Sequence, residues 1–238
     1  MIEVIKVDSK NSGNLKAHDI LKNIVDQQTL LALSGGTSPD YQKMIVDSQG
    51  ILPGAICVVD ERYSEPFHKN SNELLLRNAG VISYCEKKGI DFYKILESRG
   101  IEQTAEDYDQ LMSEIFVKYS KKVGVMGIGS NSHTAGIFPD SEAIRSANFV
   151  ISETVDDKQS FRSSPAALDA GLKFSQRITL TLRALGEFQY FIILVFGEEK
   201  RETLRIMLDE NENDMQKYPA IFYRKSQAKN YLITDIDL

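Results

Sequence analysis

The sequence predicts an α/β protein built on an open, mainly parallel, doubly wound sheet with helices on both faces. Two observations predict it. Short apolar, β-branched runs alternate along the chain with segments of helix-like spacing, the pattern of βαβ units. Several of these runs are continuous apolar blocks rather than alternating ones, which suits strands buried on both faces of a parallel sheet. The 238 residues suffice for one large domain, and 1–238 reads as a single unit without internal repeats or low-complexity linkers.

The expected strands are 2–7, 30–33, 56–59, 123–128, 149–152, 178–182, 190–196 and 231–234. Helix-like spacing falls at 19–25, 39–46, 73–78, 105–119 and 199–208. The best of these carries Tyr108, Leu111, Met112, Ile115, Phe116 and Tyr119, an apolar stripe at i, i+3, i+4 steps. The most polar stretch, 153–176, reads as a long loop or lid and not as a domain boundary; loops of this length are often functional.

Composition narrows the function. Hydrophobic content of 42% and charged content of 26% are ordinary globular values. No apolar run approaches the roughly 18 residues of a membrane span. The start, Met1-Ile2-Glu3-Val4-Ile5-Lys6, lacks the features of a secretory signal, so the expected location is the cytoplasm. A net charge of -6 disfavours nucleic acid as a partner, since that needs a basic face. Of the two cysteines, Cys57 sits in the apolar run Ile56-Cys57-Val58-Val59, and Cys85 has no CxxC partner or metal-ligand spacing.

In open α/β sheets ligands bind beyond the carboxyl ends of the strands, and three segments lie there. The first is Ser34-Gly35-Gly36-Thr37-Ser38-Pro39. Its glycines let a ligand approach the backbone, Thr37 or Ser38 is suited to cap a helix opened by Pro39, and N–H groups at such a turn bind anions. Ser34, Gly35, Gly36 and Thr37 therefore read as a phosphate cradle, against the plainer alternative of a tight connector. It is not a Walker A loop, because no Gly-Lys-Ser/Thr follows.

The second segment is Asp60-Glu61-Arg62, where acids meet the ligand position and Arg62 is able to clamp a phosphate with two donors. An ordinary polar loop with a local ion pair is the alternative. The third is Gly127-Ile128-Gly129-Ser130-Asn131-Ser132-His133-Thr134, which presents one of only three histidines. An imidazole titrates near neutrality and is suited to take a proton from water and return it. A dinucleotide fingerprint is a poorer reading of the same glycines, because Pro139 interrupts the helix it requires.

Taken together, these segments resemble the family that includes 6-phosphogluconolactonase and glucosamine-6-phosphate deaminase. Arg177-Ile178-Thr179-Leu180-Thr181 and Gly197-Glu198-Glu199-Lys200 also match its pattern. Within the family, Asp60-Glu61-Arg62 and the run from His133 to Phe138-Pro139 are similar to the lactonase branch; the deaminase branch carries Glu where this chain has Phe138. The resemblance implies hydrolysis of 6-phosphoglucono-δ-lactone to 6-phosphogluconate, a step of the pentose phosphate pathway, without a metal or other cofactor.

By that resemblance Gly35, Gly36 and Thr37 hold the phosphate, and Arg62 and Lys200 supply positive charge. His133 activates water and Asp60 lines the sugar site. Arg162 is a further phosphate ligand by analogy with the deaminases. One departure stands out: the family carries Asp-Gly-His where this chain has Asn131-Ser132-His133. Asn131 is able to accept a hydrogen bond but not to offset an imidazolium charge. Two other functions therefore stay open at this point: amino-sugar-phosphate deamination with isomerisation, and sugar-phosphate binding without catalysis.

Overall fold

The computed structural model of the chain describes residues 2–155 and 175–238. Ten strands occur among them: β1 Ile2–Lys6, β2 Thr29–Leu33, β3 Ala55–Val58, β4 Asp60–Arg62, β5 Asp91–Tyr93, β6 Lys121–Gly127, β7 Val150–Thr154, β8 Gln176–Leu180, β9 Tyr190–Val195 and β10 Lys229–Thr234. Seven form one sheet in the order β1-β10-β9-β6-β2-β3-β5. Every neighbouring pair in it is parallel. Helices pack around this sheet. Every residue of β2 is buried, as expected of a strand covered on both faces.

A second sheet, not anticipated, joins β4, β8 and β7 with antiparallel pairing. The run expected at 149–152 forms there, not in the main sheet. The ends of the expected 153–176 loop also belong to it, since Glu153 and Thr154 close β7 and Gln176 opens β8. Residues 156–174, including Arg162, lie outside the described residues.

Helix α1, Lys10–Ile24, starts well before the expected 19–25 segment. A reciprocal capping box between Ser9 and Ser12 sets its start. Gly13 lets it close on the sheet, because a Cβ there would come within 2.5 Å of the Phe196 ring. The 39–46 segment becomes a wide π-helical turn, Gln42–Asp47. The Asp40 carboxylate accepts the Lys43 N–H at its start, so neither Thr37 nor Ser38 caps it. Helices α2 Asn72–Asn78, α3 Val81–Lys88 and α4 Ile101–Lys118 follow, α4 burying Tyr108, Met112, Ile115 and Phe116 as the stripe predicts. Among the described residues no helix is long and apolar enough to cross a membrane.

The topology positions the site. From β2 the chain moves outward through β3 to β5, then returns to β6 on the other flank of β2 and continues to β9 and β10. The order therefore reverses between β2 and β6, and the crevice beyond their carboxyl ends is the binding position for such a sheet. Residues 34–38 leave β2 and residues 128–133 leave β6, one on each side of it.

Candidate active site

The turn after β2 is anchored from below and open above. Ser34 donates its N–H to Val125 O at 3.1 Å and accepts the Tyr41 hydroxyl on its carbonyl at 2.6 Å. Buried Asn14 of α1 donates to Ser38 O at 3.2 Å and accepts Asp40 N–H at 2.7 Å. Gly36 has a φ of +96°, the left-handed region that favours glycine, and a Cβ there would meet nothing within 4 Å. At Gly35 a Cβ would fall 1.9 Å from Asn72 Oδ1, so glycine is required for Asn72 to pack there.

Among the described residues, the N–H groups of Gly35, Gly36, Thr37 and Ser38 donate to no protein atom. Two ammonium groups stand beside them. Lys200 Nζ lies 3.5 Å from Ser38 Oγ, and Lys10 Nζ donates to Thr37 O. Burial and then the charge of Lys10 lower the pKa of Lys200, against the opposing pull of Glu199. Unpaired N–H groups next to two cations favour an anion.

The Asp60-Glu61-Arg62 segment is the short strand β4, and its alternation sorts the three side chains. Asp60 pairs with Thr179 and Arg62 with Arg177 on one face, while Glu61 turns to the other. The fully buried Glu61 carboxylate accepts Ser71 Oγ at 2.8 Å, Asn72 N at 2.8 Å, Glu73 N at 2.9 Å and Arg62 N at 2.7 Å. It thus closes the N-terminus of α2, and Asn72 is held against both Gly35 and the Asp60 carbonyl.

Arg62 and Arg177 oppose each other across β4 and β8, an unfavourable arrangement of like charges unless anions lie nearby. Asp60, 7% exposed, supplies one. Its carboxyl is pushed up to about 6, chiefly by burial, with Arg62 and Arg177 pulling it back and Glu61 adding to the rise. Arg177 is lowered to about 10 by burial and by Arg62, with the nearby acids opposing, and stays charged at neutral pH.

His133 leaves β6 in a turn closed by Gly129 N–H to His133 O and Ser132 N–H to Gly129 O, both at 2.9 Å. Ser132 takes a φ of +65°, so the serine occupies a conformation suited to the glycine it replaces. Thr203 Oγ1 donates to Ser130 O at 2.8 Å, and Ala220 N–H to Ser132 O at 2.9 Å, tying the turn to the following layers. Asn131 Oδ1 lies 2.5 Å from His133 Nδ1 and 3.4 Å from His133 N. Accepting the backbone N–H identifies that amide atom as oxygen, so Nδ1 carries the proton and Nε2 the lone pair. The half-buried imidazole is lowered to about 3, first by burial and then by Lys200, Arg62 and Arg177. It is neutral at physiological pH, as a base must be.

Of the residues singled out in the sequence, Gly35, Gly36, Thr37 and Lys200 meet at one wall of the crevice. Ser34 is their stem, with both backbone groups committed. Asp60 and Arg62 form a second wall, and Asn131 and His133 a third. Three residues were missed as site residues. Arg177 stands in a segment that matches the family pattern but is assigned no role from sequence, and its place opposite Arg62 follows only from the antiparallel pairing of β8 with β4. Lys10 and Asn14 lie in a polar stretch between the expected strand 2–7 and helix 19–25 to which the sequence pattern assigns no element.

A family model described as glucosamine-6-phosphate isomerases/6-phosphogluconolactonase matches residues 14–232. A 6-phosphogluconolactonase of Nostoc sp. is 28% identical over 200 residues, covering 81% of this chain and 76% of its own. One from Synechocystis sp. is 26% identical over 212 residues, covering 85% and 81%. The solved structure of 6-phosphogluconolactonase from Trypanosoma brucei superimposes with a TM-score of 0.77 over 98% of this chain and 96% of that one, at 17% identity, a likeness of fold. The chain belongs to the glucosamine-6-phosphate isomerase/6-phosphogluconolactonase family.

Proposed function

We propose that this protein hydrolyses 6-phosphoglucono-δ-lactone to 6-phosphogluconate, in the cytoplasm. The observation that carries the reading is a neutral His133, its tautomer set by Asn131, across the β2–β6 crevice from an anion cradle with two lysines. The phosphate sits on the N–H groups of 35–38 with Lys200, Lys10 and Arg62, and Asp60 lines the sugar. Nε2 takes a proton from water as the water oxygen bonds to the lactone carbonyl carbon. The carbonyl becomes an oxyanion, stabilised by the guanidinium of Arg177. The oxyanion then collapses, the ring C–O bond breaks, and the imidazolium returns its proton to the leaving ring oxygen.

Phosphate binding also tunes the base. The dianion offsets Lys200 and Arg62, whose charges depress His133, and so raises its basicity in the complex. Asn131 retains the orienting role of a carboxylate but leaves the transient imidazolium without a neutralising partner. That geometry favours hydrolysis over binding alone. The test is the rate of 6-phosphogluconolactone hydrolysis above spontaneous ring opening at neutral pH. Acceleration is expected in the wild type, with a gain of about tenfold or more in kcat for Asn131→Asp. Binding of 6-phosphogluconate with no acceleration contradicts the proposal.

A further inference from the structure

The His133 imidazole is held by more than its amide acceptor. It lies face to face with the Phe138 ring, centroids 4.5 Å apart and planes inclined by 14°. It also fills the space that a side chain at 129 would need: a Cβ on Gly129 would come within 2.0 Å of Cε1 and 2.1 Å of Nδ1. The chain is folded to make this stack. Thr134 and Ile137 exchange N–H groups and carbonyls at 3.3 and 2.9 Å, which doubles the backbone back on itself and brings 138 over 133. Ala135, at a φ of +52°, turns the corner, and Gly136 N–H donates to Thr179 Oγ1 at 3.0 Å. Phe138 is itself 5% exposed, so its ring is a fixed surface and not a mobile neighbour.

We propose that Phe138 is a positioning residue for the hydrolysis, its ring fixing the plane of the His133 imidazole and shielding one of its faces from water. The proposal rests on the lactonase reading above. It accounts for how a histidine partnered by a neutral amide keeps its orientation: a single hydrogen bond at Nδ1 leaves the broad χ2 torsion room to swing, and the stack narrows that range. The electron-rich ring face also attracts the transient imidazolium, whose charge Asn131 does not offset. The charged groups acting on the imidazole are Lys200, Arg62 and Arg177, and none is altered by a substitution at 138.

The experiment compares wild type with Phe138→Leu, Phe138→Met and Phe138→Tyr. A loss of kcat of about tenfold or more is expected in the Leu and Met variants, because small misorientation of a reacting group is costly. KM for the lactone and Kd for 6-phosphogluconate stay within about twofold, and Phe138→Tyr, which keeps a ring, restores kcat. Proton NMR provides a reading independent of activity. The His133 ring protons lie upfield in the wild type from the Phe138 ring current and move downfield in Phe138→Leu or Phe138→Met. Unchanged kcat in both non-aromatic variants, or a wild type without the upfield shift, overturns the proposal. A wild type that shows the shift but no lactone hydrolysis overturns the parent reading instead.

Discussion

At the residue scale, the proposed chemistry turns on three consecutive positions. Asn131 orients, Ser132 bends the chain, and His133 carries the lone pair. The bend has a measurable cost. Ser132 is buried at a φ of +65°, where a Cβ is strained and glycine is not. Ser132→Gly is expected to stabilise the protein by about 1 kcal/mol, read as a rise in Tm of roughly 2–4 °C for a chain of this size. A fall in Tm would mean that the serine hydroxyl contributes more than its backbone costs. The departure from Asp-Gly-His was legible in the sequence; that its middle residue sits in the glycine region was not, because a dihedral angle follows from the closed turn and not from residue type.

At the scale of elements, the motifs prove to be braced by one another. Glu61 stands between two candidate ligand residues in sequence, yet β4 turns it away from them and into the N-terminus of α2. Its four accepted hydrogen bonds hold Asn72, and Asn72 in turn packs on Gly35. Replacing this carboxylate by an amide substitutes a donor for an acceptor among buried N–H groups. Glu61→Gln is expected to cost about 2–3 kcal/mol in urea denaturation, close to the penalty for an unsatisfied buried donor and a lost charge-assisted bond. A loss below about 0.5 kcal/mol would show that α2 is held by other contacts. Six of the seven strands of the main sheet were readable, because apolar runs report burial directly. β4 and β5 were not, since three-residue strands carry too short a pattern, and Asp60 and Arg62 owe their strand geometry to pairing with β8. The early start of α1 was hidden by Gly13 and Asn14, poor helix residues kept for close packing and for bracing the 34–38 turn.

At the scale of the whole molecule, the reversal of strand order between β2 and β6 gathers residues far apart in sequence. Lys10, Gly35, Asp60, His133, Arg177 and Lys200 come from six different segments and are brought to one crevice by a sheet that the sequence pattern predicted in outline. The small antiparallel sheet adds Arg177 opposite Arg62, a pairing that no local pattern reveals. The assembly has one electrostatic consequence for the proposed hydrolysis. Three cations and burial keep His133 neutral in the unliganded protein, so its protonation limits activity only well below pH 6.5. Once bound, the phosphate offsets part of that field, so the acid limb of kcat lies above the acid limb of kcat/KM. The most direct measurement is the pH profile of kcat/KM for 6-phosphogluconolactone hydrolysis in wild type and His133→Ala. The wild type is predicted to stay level from pH 8 to near 6.5, above the Asp60 titration at about 6, and His133→Ala to run about 10²–10⁴-fold lower across that range; profiles that coincide would contradict a base at His133.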